Sequence, residues 1–266
     1  MLRVFWVGGL FFGTVPFITV IQFFLGSVSH RLWGAVSRSY YRLLCRAMRV
    51  RITIVGEMAS GPLLLCANHV SWADIPVLGA VAPVVFIAKR EVRSWPLIGA
   101  AASAQKTVFV DRERRQHTGG AVSEIAHRLG RGHSVVLFAE GTSSDGNRVL
   151  PFRSALIGAV EAACHDAGVR QVTVQPLAIA YTRQFGLPMG RQMRSLAAWY
   201  GDLDFMPHFA EFLRRGAVDV VISFGEPLPA SVVTDRKAAA FSLENSVRAM
   251  AAATRRAGIP IPVRTR

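Results

Sequence analysis

The stretch Asn68–Asp74 contains the side chains best suited to chemistry, because it pairs a potential base, His69, with a carboxylate, Asp74. A neutral imidazole can accept a proton near pH 7, and a carboxylate on its other ring nitrogen fixes the tautomer and stabilises the imidazolium. A structural interpretation competes, because Ser71-x-x-Asp74 is also a capping pattern for a following helix. Spacing alone favours the structural interpretation, so support for catalysis must come from elsewhere in the chain.

An apolar run precedes this stretch and would position it. Residues 63–67 follow Gly61-Pro62 and predict a buried strand, so His69 and Asp74 would lie where a strand ends and a helix begins. Apolar strands then alternate with helical periodicity, which predicts an α/β fold with a single, largely buried sheet flanked by helices. Further strands are predicted at 84–88, 107–110, 134–139, 172–181 and 218–224, and helices at 72–80, 95–104, 118–130, 152–164, 204–215 and 235–256.

Polar clusters directly follow three of the predicted strands. They are Asn68-His69, Asp111-Arg112 and Glu140-Gly141-Thr142. Ligands of open α/β sheets bind beyond the carboxyl ends of the strands. If these three strands are parallel, one crevice receives a base, a cation and a carboxylate.

The chain is strongly basic, with a formal net charge of +14 and a sequence pI near 11.2, and therefore calls for an anionic partner. No Asp or Glu occurs in the first 56 residues. Nucleic acid is not the expected partner, because the basic residues concentrate beside an apolar segment and no recognised nucleic-acid motif is present.

Residues 4–29 form an uncharged, largely apolar run of 26 residues. A helix of this length is about 39 Å long, against a bilayer hydrocarbon core of about 30 Å. A secretory signal peptide is the competing interpretation, but the run is too long for a typical signal segment and lacks a clean cleavage site. Pro16 leaves both a kinked span and a re-entrant helical pair open. Membrane attachment is the prediction common to both.

Residues 30–51 carry six arginines, and five of them fall within about 80° on a helix. This pattern predicts an amphipathic helix at the bilayer interface, and the alternative is a helix packed on the protein core with a solvated basic face. The positive-inside rule then places residue 30 onward in the cytoplasm. The five arginines are Arg31, Arg38, Arg42, Arg46 and Arg49, and the opposite side has Leu32, Trp33, Val36, Tyr40, Leu43 and Ala47.

In this order the clusters resemble the sequence blocks of the lysophospholipid (1-acyl-sn-glycerol-3-phosphate) acyltransferase family. Residues 68–74 match its Asn-His-x4-Asp block, and residues 109–112 match the aromatic–aliphatic–x–Arg end of its second block. Residues 138–144 match most of its Phe-Pro-Glu-Gly-Thr-x-Ser block, and residues 174–177 match an apolar strand that contains proline. The resemblance covers roughly residues 60–185, and the N-terminal apolar run fits it too.

Three positions depart from the family pattern. Lys106 stands where a glycine usually opens the second block, Ala139 replaces proline, and Ser143 stands where arginine is common. Arg148 or Arg153 could supply the missing cation. The missing arginine leaves the identity of the acceptor headgroup open. The variant third block resembles the branch that acylates lyso-ornithine lipids or related lysolipids.

The resemblance implies an enzyme that transfers a fatty acyl group from an acyl carrier protein or coenzyme A thioester to the hydroxyl of a lysolipid. The expected acceptor is 1-acylglycerol-3-phosphate, with a lyso-ornithine lipid as the alternative. A noncatalytic lipid-binding protein is a further alternative, which the intact His69 and Asp74 argue against. His69 is the expected general base, and Asp74 orients it. The expected substrate-binding residues are Asn68, Arg112, Glu140, Gly141, Thr142 and Arg153.

No metal or other cofactor is expected beyond the acyl thioester, which is a co-substrate. Membrane phospholipids are expected partners, at a bacterial-type inner membrane with the catalytic domain on its cytoplasmic face. The predicted division of the chain is an anchor with a basic helix, residues 1–56, and an α/β acyltransferase domain, residues 57–266. Residues 199–208 also resemble the lyso-ornithine branch, and packing on the core is their expected role.

Overall fold

The structure is a computed structural model that describes residues 2–110, 118–155, 157–158, 165, 168, 172–229 and 235–257. Its strands are β1 (Val50–Val55), β2 (Leu63–Ala67), β3 (Val84–Lys89), β4 (Val108–Val110), β5 (Ser134–Phe138), β6 (Thr173–Gln184), β7 (Leu187–Pro188), β8 (Val218–Phe224) and β9 (Leu228–Pro229). Its helices are α1 (Leu2–Val28), α2 (His30–Met48), α3 (Asp74–Val81), α4 (Ile98–Ala104), α5 (Thr118–Gly130), α6 (Arg191–Ala197), α7 (Phe205–Arg215) and α8 (Arg236–Ala257), with a 3-10 turn at Arg90–Ser94.

Within the described residues these strands form one mixed sheet, in the order β1-β8-β6-β2-β5-β3-β4, and the short β7 and β9 both pair with β6. The strands from β6 to β4 are parallel to one another, so their carboxyl ends lie at one edge of the sheet. β8 runs antiparallel to β6, and β1 runs parallel to β8. The predicted α/β fold with a single flanked sheet is therefore confirmed.

Both faces of the sheet are buried, which explains why the strand at residues 63–67 shows no alternation of polar and apolar residues. Leu63, Leu65 and Ala67 face the core beneath α2, α3 and α7. Leu64 and Cys66 face the opposite core, beneath α5 and α8. Asn68 and His69, which directly follow this strand, are consequently attached to a fully packed element.

α1 is a continuous helix across Pro16, and its length and composition would allow it to cross a membrane. Only 11% of its most apolar window is buried, so most of α1 is not a core helix. α1 and α2 form a hairpin, in which Thr14 Oγ1 and Tyr40 OH lie 3.1 Å apart and Gln22 Nε2 donates to Ser37 Oγ at 3.2 Å.

α2 is amphipathic, but its buried side differs from the predicted one. Trp33, Leu44 and Met48 point into the core, whereas Leu32 and Leu43, which the helical wheel groups with Trp33, are exposed. The buried arc is shifted because α2 packs closely on the domain: a Cβ atom at Gly34 would lie only 2.9 Å from Pro83 Cβ. The helix therefore packs on the protein, as the alternative interpretation expects, and its outer surface carries arginines next to leucines. The exposed arginines are Arg31, Arg42, Arg46 and Arg49.

A few element boundaries differ from the prediction. The helix predicted at 95–104 begins only at Ile98, because Leu97 adopts a positive φ of 61° after the 3-10 turn. The strand predicted at 172–181 continues to Gln184, and most of the helix predicted at 152–164 lies outside the described residues. The division of the chain at residue 56 stays a prediction, although β1, on its N-terminal side, is an edge strand of the sheet.

Candidate active site

His69 and Asp74 meet at the carboxyl edge of the sheet. His69 follows β2 and Asp74 is the first residue of α3, and His69 Nδ1 lies 2.8 Å from Asp74 Oδ2. The Asp74 side chain is fully buried, whereas 20% of the His69 side chain is exposed. The imidazole stacks on Phe138 of β5, with 4.0 Å between ring centroids. With Nδ1 on the carboxylate, Nε2 is the ring nitrogen that can exchange a proton with a substrate.

The Asp74 carboxylate accepts three hydrogen bonds besides its contact with His69. The backbone N–H groups of Val70 and Ser71 donate to Oδ2 at 2.8 and 3.0 Å. The Tyr181 hydroxyl donates to Oδ1 at 2.8 Å. These donors stabilise a negative charge that burial would otherwise make costly. The N-cap of α3 is Ala73, with no side-chain cap hydrogen bond, so the capping pattern read from Ser71 and Asp74 is not formed. Asp74 instead holds the backbone of the His69 loop and orients the imidazole at the same time.

Tyr181 belongs to this site, although its position in the sequence gives little sign of it. It lies on β6, is fully buried, and is separated from Asp74 by 107 residues. Burial and the neighbouring Asp74 charge raise the pKa of Tyr181 well above its usual value, so its hydroxyl remains a donor. The available signal was a tyrosine at the end of the apolar run 176–180 of a buried strand, since a buried tyrosine hydroxyl usually requires a partner.

Glu140 holds the backbone of the His69 loop. Its Oε2 accepts from the His69 backbone N–H at 3.1 Å, and its Oε1 accepts from the Leu150 N–H at 2.9 Å. The residue is buried, and desolvation raises the pKa of Glu140 to about 8 despite these two donors. The expected substrate-binding role of Glu140 stays a prediction, and the observed contacts make it a positioning residue for His69.

Asn68 is likewise used for positioning. Its buried side chain accepts from the Ile179 N–H at 2.8 Å and donates to the Ile179 carbonyl at 3.0 Å. The amide thereby extends the pairing of β2 with β6 by one residue. This link keeps β6, and with it Tyr181, in register with the His69 loop.

Gly141 lies in a tight turn that follows Glu140, and the Arg153 side chain packs against this turn. Gly141 has a φ of +74°, and a Cβ atom there would lie 2.4 Å from Arg153 Nε, so the turn requires glycine. Arg153 Nε donates to the Glu140 carbonyl at 3.3 Å, and the exposed Arg153 remains a candidate cation for the acceptor. Thr142 is exposed in the same turn, and the Ser143 hydroxyl donates to the Trp199 carbonyl.

Arg112, the expected phosphate ligand, lies outside the described residues, so its role stays a prediction. The strand that precedes it, β4, lies three places from β2 in the sheet. With strands about 4.8 Å apart, this is a separation of about 14 Å. The end of β4 is thus separated from the His69 loop by the ends of β5 and β3.

Sequence comparisons identify relatives that share most of this chain. A family model described as acyltransferase matches residues 49–180. The chain is 55% identical over 212 residues to a lyso-ornithine lipid O-acyltransferase of Brucella abortus (strain 2308), a match that covers 79% of each chain. It is 45% identical over 221 residues to a protein of the same description from Rhizobium meliloti (strain 1021), covering 83% of this chain and 75% of the relative. A 1-acyl-sn-glycerol-3-phosphate acyltransferase of Neisseria gonorrhoeae is 31% identical over 190 residues, covering 71% and 69%.

The fold also has a solved counterpart. The crystal structure of the 1-acyl-sn-glycerophosphate acyltransferase of Thermotoga maritima matches with a TM-score of 0.65, covering 95% of this chain and 94% of that chain at 19% identity. The flanked sheet with an N-terminal apolar helix is therefore the fold of that structure, and the matching family model gives the class as acyltransferase. The chain belongs to the lysolipid acyltransferase family. The resemblance that the sequence blocks indicate is therefore confirmed.

Proposed function

We propose that the chain is a lyso-ornithine lipid O-acyltransferase. The observation that carries this proposal is its 55% and 45% identity to two relatives of that description, against 31% to a 1-acyl-sn-glycerol-3-phosphate acyltransferase. The expectation that 1-acylglycerol-3-phosphate is the acceptor therefore gives way to the alternative drawn from the third sequence block.

The site offers a local reason for this choice of acceptor. Ser143 stands where arginine is common in the family pattern, and its hydroxyl donates a hydrogen bond to the Trp199 carbonyl. Position 143 therefore supplies no guanidinium for a phosphate dianion, and Arg153 is the cation that lies against this turn. An ornithine headgroup carries a single carboxylate together with an ammonium group, so it requires less positive charge from the protein.

In the proposed mechanism His69 acts as general base and attack on the donor is direct. Nε2 takes the proton of the acceptor hydroxyl while the hydroxyl oxygen bonds to the thioester carbonyl carbon. The tetrahedral intermediate then collapses, the C–S bond breaks, and the thiolate leaves and takes up the proton from the imidazolium. Asp74 holds the Nδ1 proton and stabilises the positive ring. No acyl group is transferred to a protein side chain.

The proposed enzyme is bound to the membrane through α1, with its catalytic side in the cytoplasm. Support comes from the length and apolar composition of α1 and from the arginines exposed on α2. Cytoplasmic thioesters of acyl carrier protein or coenzyme A would then reach the site from the same side. The lysolipid would come from the bilayer.

The test is an assay of membranes that contain the protein. They are incubated with a labelled acyl thioester, on acyl carrier protein or coenzyme A, and with either lyso-ornithine lipid or 1-acylglycerol-3-phosphate. Ornithine lipid is the expected labelled product, and membranes containing the His69→Ala variant give the background. Labelled phosphatidic acid as the only product would contradict the proposed acceptor.

A further inference from the structure

Several large apolar side chains are exposed around the site, in a patch that we name the rim surface. They lie in the segment 193–206, which includes much of α6 and the start of α7, and on the loop before α4. Met206 is 54% exposed and Leu203 is 46% exposed. The rim surface consists of Leu97, Met193, Leu196, Tyr200, Leu203 and Met206.

The rim surface is built directly on the loop that carries His69. The Trp199 N–H donates to the Val70 carbonyl at 2.9 Å, one residue after His69. Trp72, three residues after His69, packs on Phe205 with 5.8 Å between ring centroids. The exposed apolar side chains are therefore adjacent to the mouth of the site.

Hydrogen bonds and ring contacts fix the scaffold beneath these side chains. Trp199 Nε1 donates to the Leu203 carbonyl at 2.7 Å, which closes the loop between α6 and α7. Phe205 packs on Trp95 at 5.8 Å and on Trp199 at 6.0 Å. A well-ordered scaffold that presents apolar groups outward is typical of an interaction surface.

The scaffold of the rim surface also packs on the inner face of α1. Phe205 packs on Phe209 at 5.6 Å, and Phe209 packs on Phe11 and Phe12 of α1 at 5.7 and 5.9 Å. One unbroken series of ring contacts thus leads from the rim surface to the helix that suits a bilayer. The outward side chains of α1 are Phe5, Trp6, Phe17, Val20, Ile21, Phe23, Phe24 and Val28.

Charged residues around the patch indicate how deep it would lie. Lys89, Arg90 and Arg93 are exposed just before Leu97, and such cations suit the phosphate level of a bilayer. Asp202 and Asp204 are exposed in the loop between α6 and α7, and aspartates do not enter hydrocarbon readily. Only the apolar tips of the rim surface would therefore pass the headgroups.

We propose that the rim surface is a second membrane contact, which seats the mouth of the His69 site on the bilayer and lets the acceptor enter laterally. Its occupant is the lipid bilayer into which the outer face of α1 inserts. The identity of the acceptor rests on the proposed function, whereas the membrane contact itself does not. α1 would attach the protein to the membrane, and the rim surface would bring the mouth of the site itself into contact with it.

The contact can be measured with a fluorophore attached at a single cysteine of the full-length protein. Leu203→Cys or Met206→Cys is labelled with an environment-sensitive dye in a Cys164→Ser background, since Cys45 and Cys66 are buried. The matched control is Phe241→Cys, because Phe241 is 65% exposed on α8, which packs on the opposite face of the sheet. In vesicles of brominated phosphatidylcholine we expect quenching at positions 203 and 206 at least several-fold stronger than at 241. Equal quenching at all three positions would overturn the proposal.

A kinetic arm distinguishes the bilayer from an acyl carrier protein as the occupant. A Leu203→Asp/Met206→Asp double variant should raise the apparent KM for a long-chain acceptor in vesicles about tenfold, because charges oppose insertion. The KM for the acyl donor, and for a short-chain acceptor dispersed in water, should not change, and Phe241→Asp should change none of them. A raised KM for the donor without quenching at 203 and 206 would assign the rim surface to the donor protein and overturn the proposal. Quenching without transfer to lyso-ornithine lipid would contradict the proposed function and leave the membrane contact supported.

Discussion

The contacts around His69 combine one exposed ring nitrogen with one that is fixed. Asp74 holds Nδ1, and Asp74 is itself held by the Val70 and Ser71 amides and the Tyr181 hydroxyl. A carboxylate so fully bonded has one stable orientation, so the ring it contacts has one stable tautomer. The imidazole therefore needs no reorientation before the acceptor hydroxyl binds.

His69→Ala should lower acyl transfer by at least about 10²-fold, because it removes the general base and leaves the anchor untouched. The measurement is labelled product from purified protein at saturating lysolipid. Circular dichroism and membrane fractionation should match the unsubstituted protein. Residual activity above about a tenth would contradict the general-base role.

Tyr181→Phe should keep the packing of β6 but remove the hydrogen bond to Asp74. We expect kcat to fall about tenfold with little change in KM, because the bond orients the base that acts in the transition state and is not a contact used to bind the lysolipid. Tyr40→Phe, which removes a hydroxyl contact with Thr14 on α1, is the matched control and should leave both quantities unchanged.

At the scale of elements, the sequence predicts those strands and helices that have a local residue pattern. The strands before Asn68 and Glu140 were predictable because uninterrupted apolar runs are typical of parallel strands buried on both faces. The rule that ligands bind beyond carboxyl ends predicted only that the two clusters share a crevice if their strands are parallel, and the structure makes these strands parallel neighbours, with Ala67 beside Phe138. The partner of Asp74 was not predictable, because no local pattern relates Tyr181 to a residue 107 positions away.

The orientation of α2 shows a different limit of sequence reasoning. Helical periodicity identifies an apolar arc, but an interfacial helix faces protein on one side and lipid on another, and both prefer apolar residues. Leu32 and Trp33 therefore look alike in the sequence, although one is exposed and the other is fully buried. Only the close approach of α2 to Pro83 separates the two environments.

The start of α2 is joined to the start of β5 by a pair of imidazoles. His30 Nε2 and His133 Nδ1 lie 2.6 Å apart, so one ring must donate and the other must accept. Burial, together with His30, Lys106, Arg128 and Arg131, lowers the pKa of His133 to about 3. His133 is therefore neutral in the folded protein across the physiological range, and desolvation together with Lys106 also lowers the pKa of His30.

This pair should make the fold sensitive to acid. The folded pKa of His133 lies below its unfolded value near 6.5, so its stabilising contribution is complete above pH 6.5 and is lost as the pH falls towards about 3. The thermal midpoint of detergent-solubilised protein should fall over this window, and less steeply in a His133→Asn variant. His127→Asn, at an exposed position on α5, is the control and should follow the unsubstituted protein. Parallel curves for all three proteins would contradict the role of the pair.

At the scale of the whole molecule, α1 is bound to the catalytic domain over most of its length. Phe11 and Phe12 pack on Phe209 of α7, and near the other end a Cβ atom at Gly26 would contact the Lys106 side chain. If this helix crossed the bilayer upright, it would draw α4 and α7 into the hydrocarbon. We therefore expect α1 to insert from one side, with both of its ends at the same surface.

Cysteine labelling can test this one-sided insertion. Val4→Cys and Val28→Cys, in a Cys164→Ser background, should both react with an impermeant maleimide from the side that carries the catalytic domain. Inverted and right-side-out vesicles distinguish the two sides of the membrane. Reaction of the two positions from opposite sides would instead demonstrate a span.

We expect the catalytic domain to depend on α1 for its own packing. Removing residues 1–29 would uncover the groove in which Val7, Val15 and Phe12 pack, so the truncated chain should aggregate rather than become a soluble peripheral protein. A matched variant keeps these inward residues and replaces only outward ones, Phe17→Ser, Phe24→Ser and Val28→Ser. It should stay folded, and its membrane binding should become salt-sensitive, because the arginines of α2 each contribute about 1 kcal/mol at an anionic surface. Size-exclusion chromatography and vesicle flotation at low and high salt measure both outcomes. A monodisperse, folded truncated chain would show that the domain does not need α1.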